Sequence, residues 1–293
     1  MAQTREIKVR IKAVANIQRI TKTMQMIATA RFRGSLNRVT AARPYSRKIA
    51  ELVTELSAAT GNDGQTCHPL LCGPRPAVGR ELLLVLTSNR GLCGGYNASL
   101  LRKAVAQLGG GGQTQVDLEV VGKKGHAYFK FTGTPIRAFH SHITDAPQYR
   151  DVEQLAERYI AEFTAGQYDA VKVLYMAFHS MGRQSPQILD LLPLAPVADK
   201  GGRAAAPQVD YDFSPPAAEL LGELLPVTVK VRLFQCFTEA VLGEHIARMT
   251  AMKAATDAAG DMSKRLTRKY NRARQTAITT ELSEIIGGSA ALE

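Results

Sequence analysis

The sequence predicts an α+α/β protein: an antiparallel coiled coil built from the two chain termini, with a doubly wound α/β domain inserted between its helices. Three observations predict it. Each end of the 293-residue chain carries a long run with apolar residues at steps of three and four, the period of a helix with one buried stripe. Between these runs, short apolar stretches alternate with amphipathic helical ones, the pattern of βαβ units. Two Gly/Pro-punctuated stretches, 59–78 and 197–216, separate these textures, so boundaries are expected at 1–58, 79–196 and 214–293.

The first element spans 2–58, with Ile7, Ile11, Val14, Ile17, Ile20, Met24 and Ile27 as its stripe. Heptad spacing holds from Ile7 to Val14 and from Ile17 to Met24; the extra three-residue step between them would overwind a coiled coil locally. Beyond it Ala28, Ala30, Gly34 and Ser35 let a partner helix approach closely, and Pro44 is expected to kink or divide the helix. In the stretch that follows, "TCHPLLCG" holds Cys67, His68 and Cys72, one ligand short of a zinc set, so it reads as a loop thiol pair.

In the middle of the chain, "ELLLVLT" (81–87) is the continuous apolar run of a strand buried on both faces. "NASLLRKAVAQL" (97–108) follows as a helix with Asn97 as N-cap, and "GGGG" (109–112) as a turn. Next come a strand at 116–122, a short helix and turn at 123–133, an amphipathic helix at 151–166 and a strand at 168–178. "SPQILDLLPLAP" (185–196) adds a proline-marked edge strand.

Ser214 and Pro215 then open the last helix as cap and first residue, and Pro226 interrupts it. From Val227 the stripe runs through Phe234, Phe237, Val241, Leu242, Ile246, Met249 and Met252, then Met262, Leu266, Tyr270, Ala273 and Ala277. Such a helix is on the order of 90 Å long at 1.5 Å per residue. No small domain buries that length, so the two terminal helices need one another. The C-terminal one is longer. Its overhang, with Ile278, Leu282, Ile285 and Ile286, must be sheathed by other chains.

"TSNRGLCGGYN" (87–97) lies where a strand gives way to a helix, the place for a phosphate loop. Its spacing matches neither G-x-G-x-x-G nor G-x-x-x-x-G-K-[ST], so it reads as a turn whose glycines allow close packing, with Cys93 a small buried residue. His140 and His142 read as surface residues and His245 as a satisfied helix-seam residue. No Ser/His/Asp set, carboxylate pair or metal cluster emerges; no catalytic residue, cofactor or metal is expected.

Charge is the strongest physical signal. Lys and Arg number 37 against 26 Asp and Glu, giving +11, which calls for a negatively charged partner. Arg5, Lys8, Arg10, Lys12, Arg19, Lys22, Arg31, Arg33, Arg38, Arg43, Arg47 and Lys48 face only Glu6 before Glu51, and "SKRLTRKYNRARQTAIT" (263–279) holds six cations and no acid. A nucleic-acid-binding coiled coil is the alternative reading, and an enzyme holding nucleotide at "RGLCGGYN" a third. Absence of Trp, with aromatics at 6%, weakens base stacking. The N-terminus lacks the apolar core of a secretory signal, and no apolar run approaches the ~20 residues that span a bilayer.

"EIKVRIKAVANIQRITKTMQMIATARFR" (6–33), "SNRGLCGGYN" (88–97) and "EHIARMTAMKAATDAAGDMSKRLTRKYNRARQTAITTELSEIIGG" (244–288) resemble the gamma subunit family of F-type ATP synthases. The resemblance implies a central-stalk rotor that turns inside a ring of three alpha and three beta subunits and contacts epsilon and the ring of c subunits. It implies no nucleotide or nucleic acid bound by this chain, and a membrane reached only through the complex, on the cytoplasmic side of the cell (inner) membrane. By the same resemblance Arg274 and Gln275 contact a beta-subunit loop, Met24 opposes the acidic beta loop, and Arg248 is a lower-coil contact; Ile278, Leu282 and Ile285 lie in the sleeve of the ring. The family commonly has Ser-Asp-Arg-Gly where this chain has Asn89, which removes a carboxylate from that turn. No insertion of the chloroplast redox kind is present, so thiol control through Cys67 and Cys72 is not expected.

Overall fold

A computed structural model of the chain describes residues 2–59, 68–72, 77–109, 114–143, 145–194 and 217–290. In chain order the elements are α1 (Ala2–Ala59), α2 (Pro69–Cys72), β1 (Arg80–Leu86), α3 (Tyr96–Leu108), β2 (Gln115–Val121), α4 (Lys123–Phe131), β3 (Ala138–His140), α5 (Tyr149–Thr164), β4 (Ala170–Ser180), β5 (Arg183–Leu192) and α6 (Ala217–Ala290). They form two compact units: Met1–Ala30 with Arg248–Glu293, and Arg31–Ala247.

The larger unit is built on one sheet, ordered β3-β2-β1-β4-β5, parallel except where β5 returns antiparallel to β4. From Leu82 to Leu86 strand β1 is continuously apolar, and both of its faces are covered there. Leu82, Leu84 and Leu86 join Val152, Tyr159 and Phe163 of α5, Ile49, Val53 and Leu56 of α1, and Leu225, Val229 and Leu233 of α6. Leu83 and Val85 join Leu100 and Ala104 of α3 and Phe129 of α4 on the opposite side. Helices on both faces make the sheet doubly wound.

That packing explains why the prolines do not divide the helices. Pro44 lies inside α1 and Pro226 inside α6, each within one continuous helix. An interior proline costs ~3 kcal/mol, but each large side chain buried beyond it contributes about 1.5–3 kcal/mol. Ile49, Val53 and Leu56 follow Pro44; Leu221 and Leu225 precede Pro226; all five are buried. Asn97 is not the cap of α3, which begins at Tyr96 after Gly95. Its amide group instead accepts from Ser88 N at 3.1 Å and donates to Ser88 Oγ at 2.7 Å, fastening the loop after β1. Cys93 and Cys236 are free and buried, whereas Cys72 is disulfide-bonded. Cys67, Ser214, Pro215 and the glycines at 110–112 lie outside the described residues.

In the smaller unit the terminal helices run antiparallel. Thr256 Oγ1 donates to Thr21 Oγ1 at 2.8 Å, and a Cβ added at Gly260 would lie 3.0 Å from Gln18 Nε2. Shielded positions on α1 fall at Thr4, Ile7, Ile11, Val14, Gln18, Thr21, Gln25 and Ala28. This is an unbroken heptad, so the expected three-residue step after Val14 is absent. Ile17, Ile20 and Ile27 lie off the seam, 53%, 58% and 51% exposed. On α6 the matching positions are Met252, Thr256, Ala259, Ser263, Leu266, Tyr270, Ala273 and Ala277, with Met262 outside. Apolarity alone favoured isoleucine over threonine and glutamine. The seam accepts the polar residues because Thr21 finds a hydroxyl partner and Gly260 leaves room for Gln18.

Candidate partner-binding surface

The Thr21–Thr256 and Gln18–Gly260 pairs set a register that brings Thr4 level with Ala273. Beyond Ala277 α6 therefore has no stretch of α1 to cover it. Ile278, Leu282, Ile285 and Ile286 are 56%, 56%, 70% and 59% exposed there. Arg274, Ile278, Leu282 and Ile285 follow one another at steps of four, four and three, so a guanidinium stands at the base of an apolar stripe on one helix face. Gln275 is exposed beside it. Below this stripe Arg265, Arg268, Lys269 and Arg272 are all exposed, and among the described residues none has a carboxylate within ion-pair reach. Lys264 lies 3.9 Å from Asp261. Near the start of α1, Arg10 pairs with Glu6 at 2.6 Å. The tip thus carries an apolar face, and the shaft below it is basic and largely uncompensated.

Met24 and Arg248 do not join the tip. Met24 is half-buried beside the seam, and Arg248, only 8% exposed, is separated from Arg274 by roughly 40 Å at 1.5 Å per residue. The exposed isoleucines 17, 20 and 27 are a second apolar surface that sequence reasoning assigned to the seam. A test of both heptad phases against the facing helix is the signal that would have found it.

The sheet unit holds its polar side chains in structural bonds. Glu119 has no exposed surface, and its carboxylate accepts from His140 Nε2 at 2.8 Å, Tyr159 Oη at 2.8 Å, Arg158 at 2.5 Å and Arg137 at 3.3 Å. Burial alone would push this carboxyl up, but the hydrogen bonds from His140 and Tyr159 and the charges of Arg158 and His140 outweigh it and hold the pKa below its ordinary value. His140 is therefore a buried bonding partner, not a surface residue. An acceptor so fully engaged has no capacity to act as a general base.

The loop after β1 also proves structural. Thr87 Oγ1 accepts from Gly125 N at 3.0 Å, Ser88 O from Lys124 N at 3.1 Å, and Asn89 Oδ1 from Lys123 N at 3.2 Å. These bonds consume the first amides of α4, and at the start of α3, the helix this loop leads into, Tyr96 N donates to Cys93 O at 3.2 Å and Ser99 N to Gly95 O at 3.0 Å. Nor do Gly91 and Gly95 mediate close packing: an added Cβ would meet only the tip of Lys124 at Gly91 and nothing at Gly95. Close approach occurs instead at Gly122, where a Cβ would lie 2.2 Å from Thr87 O, and at Gly125. Among the described residues no group of three His, Cys, Asp or Glu side chains is placed to hold a metal. No described helix is long and apolar enough to cross a membrane.

Residues 3–292 match the family described as ATP synthase. The chain is 43% identical over 299 residues to the ATP synthase gamma chain of Rhodopirellula baltica, covering all of both chains. It is 39% identical to that of Desulforamulus reducens, again over the full length of both. Among solved structures it resembles a chain of the Euglena gracilis mitochondrial ATP synthase OSCP/F1/c-ring assembly, with a TM-score of 0.66 at 17% identity, covering 99% of this chain and 95% of that one. A chain of the rotor of the same synthase aligns at a TM-score of 0.61 and 16% identity, covering 94% and 99%. At these identities the structural likeness establishes the fold.

Proposed function

This chain belongs to the ATP synthase gamma chain family, and from that premise we propose that it is the central-stalk rotor of an F-type ATP synthase. It turns within a ring of three alpha and three beta subunits and couples transmembrane ion flow to ATP synthesis or hydrolysis. The chain performs no bond chemistry. Its work is to make unequal contact with three otherwise equivalent catalytic sites, so that its angle decides which conformation each adopts; only differential contact of this kind can shift such an equilibrium.

One observation carries the reading: an apolar stripe of Ile278, Leu282 and Ile285, exposed at the tip of an otherwise paired helix. Such a stripe needs a sleeve, and a ring of alpha and beta subunits supplies one. We assign Arg274 and Gln275, beside it, to a beta-subunit loop. Met24 is assigned to the acidic beta loop, and Arg248 to a lower-coil contact of which its side chain presents little surface. Epsilon and the c ring are its further partners in the complex. The chain is peripheral, on the cytoplasmic side of the cell (inner) membrane, and reaches the membrane through the complex. Co-expression with alpha and beta subunits tests this: one copy should be recovered per ring, and ATP turnover should depend on it. A ring whose assembly and turnover were indifferent to the chain would overturn the proposal.

A further inference from the structure

A cavity of about 590 Å³ in the sheet unit has no part in the rotor reading. It is lined by Arg31, Gly34, Ser35 and Arg38 of α1, Asn89 and Arg90 after β1, Lys123 at the start of α4, Ser141, Asp145 and Ala146 after β3, and His245 of α6. Three parallel strands thus deliver their carboxyl-terminal loops to it, the end of an open α/β sheet where ligands bind. Four cationic side chains face a single carboxylate there. Asp145 lies 3.3 Å from Arg90 and 3.8 Å from Arg31 and accepts from Asn89 at 3.2 Å, so its charge is spread over one rim. Arg38 and Lys123 have no carboxylate within ion-pair reach among the described residues.

We propose that this cavity binds a compact, multiply charged phosphate anion, held by Arg31, Arg38, Arg90 and Lys123 with hydroxyl donation from Ser35 and Ser141. Guanidinium forks match phosphate oxygens bidentately, and a lysine adds a point charge. The volume is in the range of small-ligand sites. No Phe, Tyr or Trp side chain lines it and its one ring, His245, is only 4% exposed, so no open stacking face meets a base, and the ligand class is inorganic diphosphate rather than nucleotide. Because the first amides of α4 are already bonded to Thr87, Ser88 and Asn89, side chains carry the recognition. The inference is independent of the rotor proposal.

Titration calorimetry of the full-length chain with pyrophosphate, near physiological ionic strength, tests it. One site per chain is expected. Arg38→Gln with Lys123→Gln should weaken binding by about tenfold or more, the loss of two charge-assisted contacts. Lys130→Gln with Arg183→Gln, exposed cations outside the cavity, should leave it unchanged. Asp145→Asn, which removes the opposing carboxylate, should tighten binding severalfold, a gain that misfolding cannot mimic. Circular dichroism should show all variants folded. No saturable binding, or equal weakening by both cation pairs, would reduce the cavity to a diffuse counter-ion atmosphere and overturn the proposal. ADP is the second arm: affinity no greater than that of pyrophosphate supports the compact-anion assignment, and tighter ADP binding overturns it.

Discussion

Glu119 sits in the middle of a parallel sheet with no surface exposed, yet it stays ionised because Arg137, His140, Arg158 and Tyr159 all donate to it. Removing one partner of such a buried cluster strands the others, which costs about 3–5 kcal/mol. Glu119→Gln should therefore lower the urea midpoint by a corresponding amount at pH 7. The pH dependence has a definite sign. The folded carboxyl titrates below its ordinary 4.5, so its contribution is complete above that value and is lost as pH falls through the lower folded pKa. Unfolding measured from pH 7 down to 3 should show this loss in the parent chain and a flatter profile in the variant. Little of this was legible in "VDLEVV", since the donors lie 18 to 40 residues away and are brought together by β3 and α5. Glycine use was equally opaque. "RGLCGG" advertises tight packing but leaves Gly95 open, whereas Gly122, with φ at 94°, is pressed against Thr87, as is Gly125. Gly122→Ala should cost upwards of about 2 kcal/mol, while Gly95→Ala should be close to neutral, as thermal melting of the two variants would show.

For the elements, legibility followed how strongly periodicity was backed by burial. Apart from the short α2 and β3, which the sequence did not announce, the strands and helices of the sheet unit could be read because β1 and β4 are largely apolar runs and α5 has a clear apolar face, with Val152, Leu155, Tyr159 and Phe163 buried. The terminal seam was legible only in part. Ile7, Ile11 and Val14 fix its phase, but the next apolar residues, Ile17 and Ile20, belong to the outside of the helix. A heptad carrying Gln18, Thr21 and Gln25 cannot be preferred over one carrying isoleucines until the facing Thr256 and Gly260 are known. The two faces should respond oppositely to substitution. Ala28→Leu forces extra volume into a buried position and should destabilise the isolated chain by about 1–3 kcal/mol. Ile17→Ser with Ile20→Ser, on the open face, should shift its stability by no more than about 0.5 kcal/mol per site. Denaturant unfolding of both variants decides whether the seam has the phase described.

At the scale of the whole molecule the charge of +11 and the exposed apolar tip are complementary demands on one partner. The residues proposed for partner contact, Arg274, Gln275, Ile278, Leu282 and Ile285, all exposed, could be named from sequence because an overhanging helix displays what a globular face would hide. The phosphate cavity could not, since it joins residues 31, 90, 123 and 145 through the sheet topology. Charge and apolar contact should separate kinetically during assembly with alpha and beta subunits. Long-range attraction governs encounter and is screened over about 10 Å at 0.1 M salt, whereas buried apolar contact governs escape. Stopped-flow association with the alpha–beta ring should slow by about tenfold or more as salt rises from low to several hundred millimolar. Arg268→Gln with Arg272→Gln should lower the association rate and flatten its salt dependence while leaving the dissociation rate nearly unchanged. Ile278→Ser with Leu282→Ser should do the reverse, keeping the association rate and speeding dissociation, with little change in melting of the isolated chain, because both side chains are 56% exposed and lie beyond the seam. If both double variants altered the same rate constant, charge and apolar surface would not be serving separate steps, and the tip would not be seated in a sleeve.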